Sequence, residues 1–358
     1  MFSEDKALIT GAKNMTIIER LQSHTVNIYQ LREEDLVEKW VDARLLLHPT
    51  RFDLFAKLYY VRNRMDNKAE AVKVYKEHIK AFNPDLKEPG REDKTGYDDF
   101  LMAFEALIET FSRTDFDASQ SLVPITEDGI ILDGAHRVSA LAYCNKKVNV
   151  AICKGVVPKA NFDYRYFKDR GLSWDTMDII AHEMLQWLPD IYVACLWPKM
   201  SDQSQAFAWI EETFGIVYER KVKVNYPSFR KLIKKVYENQ PWVNEPNSVD
   251  DKSLHCYGFN GQLRFLFFVS RDLDKVLFIK EKIRLMYGVG KHALHITDNE
   301  LETREIARIL LETKLRKEWL DHSAVNSLSE KIQERWYYFK KVQVIDFKVK
   351  VAKLLSVK

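Results

Sequence analysis

Glycine is scarce in this chain, with 12 in 358 residues, about half of ordinary usage. Phosphate-cradling loops are usually glycine-rich, and no G-x-G-x-x-G or G-x-x-x-x-G-K-[ST] string occurs. That excludes the Rossmann dinucleotide fingerprint and the Walker loop. Cysteine is also sparse: Cys144, Cys153, Cys195 and Cys256 are widely spread and never form a C-x-x-C pair. Neither a disulfide framework nor a zinc site fits, and buried reduced thiols are expected. Long apolar runs are missing too, since stretches such as Phe265–Val269 fall far below the ~18 residues of a membrane span. The opening MFSEDKALIT has acids where a signal peptide needs a basic region and an apolar core. A reduced, cytoplasmic protein is expected. Neither sign of charge dominates, at 55 basic against 52 acidic residues and a net +3.

What is present is 46% hydrophobic and 30% charged, a globular composition long enough for roughly two domains. Residues 1–115 read as mainly helical, because apolar residues recur at three- and four-residue spacing in Leu36–Leu46, Phe52–Val61 and Phe100–Phe111. The proline-, glycine- and charge-rich stretch Asn83–Asp98 breaks the pattern and reads as a surface loop. Next come short apolar runs: Leu122–Ile125 and Ile130–Leu132 flank the hairpin-type turn Glu127-Asp128-Gly129. Asp133-Gly134 then leads into a helix through Val138–Tyr143 and a strand at Val148–Cys153. Gly155–Gly171 reads as a connector. From Ile191 to Leu311 strands and helices alternate, the pattern of an α/β layer domain. Its last helix is opened by Asn299-x-x-Glu302, a capping box. The expectation is an α+β protein: a helical region (1–115), a small sheet domain (116–170), an α/β domain (171–312) and a helical basic tail (313–358).

The segment IILDGAHRVSALA, residues 130–142, is the most informative in the first half. A strand ends, Gly134 permits a tight turn and a helix begins. Backbone N–H groups at that helix start, with His136 and Arg137, would form a compact anion site, and Asp133 would orient His136 or hold a metal. Spacing alone reads equally well as an Asp N-cap and a surface salt bridge.

The order strand, D-G-x-H-R, small-residue helix resembles the ParB/sulfiredoxin superfamily, in which this turn binds nucleotide phosphates. S-L-V-P-I, the turn and G-I-I-L match the two strands that precede the motif. The resemblance covers about residues 115–155. Sulfiredoxins carry a reactive cysteine where this chain has Ala135, which excludes that chemistry. Chromosome-partitioning relatives continue into a helix-turn-helix, and the pattern after Gly171 is not one. The remaining relatives are small-molecule kinases of the free-serine-kinase type, with an upstream glutamate as base. Glu88 is taken for it here, with Arg51, Lys57 and Lys94 as phosphate or substrate contacts. Each of these four also reads as a solvated charge.

The second half holds KIRLMYGVGKHALHITDNELETREIARIL, residues 282–310. Two histidines at i and i+3 are weak evidence for a metal, because no third or fourth ligand accompanies them. A histidine at a strand end facing a helix N-terminus reads instead as a phosphoryl acceptor, with Arg284 and Lys291 supplying positive charge. About residues 188–312 resemble nucleoside diphosphate kinase in element order. The landmarks are Leu196-Trp197-Pro198, Phe214-Gly215-Ile216-Val217, Tyr237 before Pro241-Trp242, Ile283-Arg284 and Gly290–Asp298. The resemblance implies a ferredoxin-like fold, His295 as phosphohistidine, Arg284 as a phosphate contact, Tyr237 beside the histidine, and Thr297 and Glu305 as support. Trp197 replaces the family's lysine, His292 its asparagine and Ile296 its glycine. A degenerate copy kept for structure or assembly is an equal reading.

The tail Lys331–Lys358 sets eight basic residues against two acidic ones and interleaves them with Trp336–Phe339. It reads as a docking helix or edge strand with a basic face, with peripheral contact to an anionic membrane as an alternative. Together these features lead to a nucleotide-dependent phosphotransferase acting on a small hydroxyl-bearing acceptor such as a sugar or glycan precursor. The resemblances imply ATP or another nucleotide, Mg²⁺, and a homo-oligomer formed through the second domain. A non-catalytic interaction protein is the alternative, while the small net charge and the missing helix-turn-helix argue against nucleic-acid binding.

Overall fold

A computed structural model describes residues 15–87, 94–200, 202–257 and 261–320, together with Trp336. The chain is mixed α+β and divides into two compact units, Met1–Gly171 and Leu172–Lys358.

The first unit begins with helix α1 (Ser23–Tyr29) and strand β1 (Leu36–Asp42). Helices α2 (Phe52–Asn63), α3 (Lys68–Phe82) and α4 (Tyr97–Arg113) follow, and then strand β2 (Val123–Thr126). Helix α5 (Ala135–Tyr143), strand β3 (Lys147–Cys153) and helix α6 (Tyr164–Asp169) complete it. The three strands lie in the order β1-β3-β2, with β1 antiparallel and β2 parallel to β3. The expected hairpin-type turn is present, with a short returning arm. Gly129 sits at φ +81°, Thr126 N–H donates to the Ile130 carbonyl at 2.9 Å, and the returning arm makes one isolated bridge, Ile131 to Ile125.

Two local expectations are corrected. Leu36–Leu46 is not a helix but strand β1 followed by a 3₁₀ turn at Ala43–Leu46. Its seven residues gain an unbroken antiparallel ladder with β3, from Leu36↔Cys153 to Asp42↔Lys147. A segment this short has little helical stability of its own, so tertiary pairing decides. Gly155–Gly171 is not only a connector, because α6 lies within it, capped by Asp163, whose side chain accepts the Arg165 and Tyr166 amides.

The amphipathic helix α4 buries Phe100, Phe104, Ile108 and Phe111 on one face. Helix α5 is rich in small residues and buries Val138 through Ala142. It packs on α2, with Ser139 Oγ donating to the Leu54 carbonyl at 3.2 Å.

The second unit starts with α7 (Trp174–Trp187), strand β4 (Ile191–Leu196), α8 (Ser204–Phe214) and strand β5 (Ile216–Lys223). Helices α9 (Tyr226–Val236) and α10 (Ser248–Cys256) precede strand β6 (Gln262–Val269). Then come α11 (Leu273–Tyr287), strand β7 (Leu294–Ile296), α12 (Glu300–Leu311) and α13 (Thr313–Trp319). The sheet runs β5-β6-β4-β7 with every neighbouring pair antiparallel. Central strand β4 buries five of its six residues, as a strand covered on both faces must. Asp178 is fully buried on α7 and holds the Tyr218 hydroxyl (2.7 Å), Arg220 (3.2 Å) and Arg316, which ties α13 to α7 and β5. All four cysteines are free thiols; Cys153, Cys195 and Cys256 are buried and Cys144 is half-buried. No helix among the described residues is long and apolar enough to cross a membrane.

Candidate functional site

Within the first unit lies a cavity of about 920 Å³. Its walls come from α1, the start of α2, the end of α3, one face of α4, the turn into α5 and the segment entering α6. Asp133, Gly134, His136 and Arg137 line it together with Arg51, Lys57 and Lys94, residues spread over more than eighty positions of the chain. Among the described residues, six cationic side chains and two carboxylates, Asp53 and Asp133, line this cavity. Adjoining it is a smaller chamber of about 210 Å³ that shares Tyr29, Arg51, Leu132, Ala160 and Phe162 with it.

The turn into α5 would make this wall favourable to anions. Gly134 takes the N-cap position at φ +88°, a left-handed conformation open to glycine, and among the described residues no side chain caps the helix. The first-turn N–H groups and the positive end of the helix dipole therefore face the cavity without a competing acceptor from a cap. Asp133 is not that cap; its Oδ2 lies 3.4 Å from the Arg137 guanidinium, which also donates to the Leu122 carbonyl at 3.3 Å. A Cβ at position 134 would stand 2.9 Å from Arg137 Nη2, so the glycine also makes room for that side chain.

Asp133 does not orient His136. The imidazole Nε2 lies 2.9 Å from the Tyr75 hydroxyl, and the ring meets Phe104 edge-on at 4.8 Å. Burial, reinforced by Lys57 and His78, holds the His136 pKa well below its ordinary value. At neutral pH it contributes a neutral ring rather than a cation.

On the opposite side, Arg51, Asp53 and Lys57 form a buried group, each no more than 5% exposed. Arg51 Nε and Nη2 donate to the two Asp53 oxygens at 2.8 and 3.0 Å, and Nη1 donates to the Ile131 carbonyl at 2.5 Å. The Lys57 ammonium contacts Asp53 Oδ2 (3.0 Å), the Asp53 carbonyl (3.2 Å) and His78 Nε2 (3.3 Å). An ammonium has three N–H groups, and these three contacts account for them. Lys57 would therefore act on a bound anion through its field alone, whereas Arg51, expected beside it as a contact, keeps N–H groups beyond those used on Asp53 and Ile131. Burial alone would raise the Asp53 pKa, but Arg51 and Lys57 outweigh it and keep the carboxyl ionised. Burial also lowers Lys57, against the pull of Asp53, and lowers His78 to about 3, with Lys57 adding to the effect.

Aromatic rings back the cations. Arg51 lies over Phe162 (5.3 Å), Lys57 over Phe82 (5.7 Å), Lys94 over Phe100 (4.9 Å) and Lys159 over Tyr29 (5.9 Å), and all four rings line the cavity. This combination suits a ligand with several negative charges and a flat or apolar part. Glu88, expected as the base, lies outside the described residues. For Mg²⁺ the fit is partial. Among the described residues no group of three or more metal-ligating side chains is assembled, and Asp53 is committed to two cations. Asp133 would hold a metal that arrives on phosphates, where the ion would neutralise their charge.

Sequence reasoning missed Asp53, Tyr75 and His78. The i,i+4 spacing of Asp53 and Lys57 was a readable signal for a pair, but nothing in it signals burial.

In the second unit, His295 sits on β7 with its side chain 7% exposed. Its Nε2 lies 2.7 Å from Glu302 Oε1, and Tyr237 meets the ring at 5.0 Å, nearly perpendicular. The supporting carboxylate is Glu302, one helical turn before the expected Glu305. Its other oxygen accepts the Asp298 amide (3.0 Å), so the capping box closes on Asp298 rather than on Asn299. Burial lowers the His295 pKa, while Glu302 opposes the shift. Thr297 is fully buried and uses its hydroxyl within the fold, on Thr303 (2.7 Å) and the Val193 amide (3.0 Å), so it is a packing residue. The Lys291 side chain is exposed and its carbonyl accepts from Lys252 (2.6 Å). Arg284 pairs with Glu281 at 2.6 Å, and its buried Nε has no hydrogen-bond partner among the described residues. Trp197, where the resemblance puts a lysine, is fully buried against Phe229 at 5.7 Å. Among the described residues, none of this unit lines either cavity.

The chain matches no protein-family model and no curated protein.

Proposed function

We propose that the first unit is a nucleotide-dependent phosphotransferase that binds polyphosphate at the start of α5 and passes a phosphoryl group to a small hydroxyl-bearing acceptor. The observation that carries this reading is the convergence of an uncapped helix N-terminus, Arg137, Arg51, Lys57 and Lys94 on one cavity. Phosphoryl transfer demands mainly positioning and charge stabilisation, which such a wall supplies. The likeness of D-G-A-H-R to the ParB/sulfiredoxin turn supports the same site, with ATP or a similar nucleotide, Mg²⁺ carried on its phosphates, and Glu88 as base. The 920 Å³ volume has room for a nucleotide, and the aromatic walls suit its base. A sugar-like acceptor accords with the largely uncharged lining of the smaller chamber, where Arg51 is the one charged residue among those described. The direct test is thermal shift and transfer of label from γ-labelled ATP with Mg²⁺. Nucleotide is expected to raise the melting temperature of the wild type and not of Arg137→Ala. An equal shift in both proteins would refute the site.

A second reading, phosphoryl acceptance by His295, rests on the His295–Glu302 contact and the Tyr237 ring. With Nε2 held by Glu302, acceptance would fall to Nδ1. The strand order β5-β6-β4-β7 is that of a ferredoxin-like sheet and supports the resemblance to nucleoside diphosphate kinase, which in turn implies assembly through this unit. Acid-labile, base-stable label lost in His295→Gln is the expected result. Label that survives the substitution would dismiss it.

A further inference from the structure

Two cations and one carboxylate are buried together in the wall of the cavity, and this arrangement carries a formal excess of one positive charge. Buried ion groups are poor sources of stability, because desolvation of each member offsets most of the attraction. A fold that needed only stability at this point would be served by apolar side chains. The geometry has a direction instead. His78 accepts from Lys57, Lys57 donates to Asp53, and Asp53 grips Arg51 with both oxygens. His78 Nδ1 is anchored in turn on the Tyr75 carbonyl at 3.2 Å. Arg51 is the last member of this chain. Three of its five N–H groups are used on Asp53 and Ile131, and among the described residues nothing takes the other two, on a side chain that lines both chambers.

We propose that Asp53 is a positioning residue for anion recognition: it fixes the Arg51 guanidinium in the wall so that its two remaining N–H groups meet a phosphate of the bound ligand. Asp53 touches no ligand and acts through Arg51, with Lys57 and His78 holding its other side. The inference rests on the polyphosphate reading above.

The proposal opposes simple electrostatics. Removing a negative charge from an anion site should tighten binding if Asp53 were only a nearby charge. Removing a positioning residue should weaken it. The test is calorimetric titration of the full chain with inorganic tripolyphosphate at low salt, on wild type, Asp53→Asn, Arg51→Ala and the double variant. Asp53→Asn is expected to bind roughly tenfold more weakly or worse, as a lost charge-assisted bidentate pair implies. The double variant is expected to match Arg51→Ala alone, because the aspartate has nothing left to position. Unchanged or tighter binding in Asp53→Asn overturns the proposal, and so do losses that add. Should Asp53→Asn fail to fold, Asp53→Glu keeps the charge but displaces the guanidinium. Weaker binding in that variant supports the proposal, and wild-type affinity overturns it. A wild type that does not bind tripolyphosphate removes the polyphosphate reading and this inference together, whereas a wild type that binds while Asp53→Asn binds equally well removes only the inference.

Discussion

At Gly134 the backbone takes φ +88°, and a Cβ would stand 2.9 Å from the Arg137 guanidinium and 3.2 Å from Val123 Cγ2. Alanine there is strained by its backbone and displaces the cation at the helix start. Gly134→Ala should therefore lower stability by about 1–2 kcal/mol and remove the nucleotide-induced thermal shift that the proposed function requires of the wild type. Melting curves with and without nucleotide separate the two effects. The D-G-A-H-R string was legible because a glycine between a strand and a helix has few other reasons to be there. The partner of His136 was not legible. Tyr75 lies sixty-one positions away, and only the packing of α3 against the α5 turn brings its hydroxyl to the ring. His295 repeats the lesson at closer range, since Glu302 rather than Glu305 reaches Nε2. Both carboxylates belong to one helix, and its entry angle decides which of them faces the strand.

Helix α5 shows what an element adds to its residues. Ala140 and Ala142 are fully buried, and Ser139 donates to a carbonyl of α2, so the two helices approach with little side chain between them. That close approach brings the start of α2, with Arg51 and Asp53, opposite the start of α5. Ala140→Leu is expected to cost about 1–3 kcal/mol through overpacking, read as a lower denaturant midpoint with an unchanged slope. A neutral result would mean that the helices are free to part. Strand β1 is the counterexample among the elements. Its apolar spacing suits a helix, yet its ladder with β3 sets the conformation, and half of that information lies in Lys147–Cys153. Long periodic segments such as α4 and α12 needed no such partner to be read, because their own amphipathic pattern matches the helical repeat.

For the molecule as a whole, buried titratable groups set the response to acid, and they differ in sign. His78 is lowered to about 3 from an ordinary 6.5, so the unfolded chain binds its proton more readily. The stability it contributes is present above about pH 6.5 and is lost as pH falls toward 3, by about 2 kcal/mol between pH 6.5 and 5. His136, also lowered, acts in the same direction. In the second unit burial raises Asp178 to about 6, although Arg220 and Arg316 oppose the shift. Its contribution is greatest at low pH and is lost as pH rises through 6, so acidification from pH 7 to 5 returns about 1 kcal/mol. Denaturant titrations at the two pH values should show a smaller acid loss in His78→Gln and a larger one in Asp178→Asn than in the wild type. Equal acid losses in all three proteins would contradict these assignments.

The sequence by itself determined the mixed α+β class, most of the strand and helix alternation after Ile191, the turn at Asp133–Arg137 and the free thiols. Each of these depends on neighbours within a few residues, through periodicity, turn chemistry or spacing. Only the tertiary structure decided that Arg51, Lys57, Lys94 and the α5 turn share one cavity, that Lys57 is committed to Asp53 and His78, and that Thr297 serves packing. Those outcomes depend on burial and on contacts between distant segments. A charged residue reads the same in sequence whether water or another side chain surrounds it, and folding alone makes the choice.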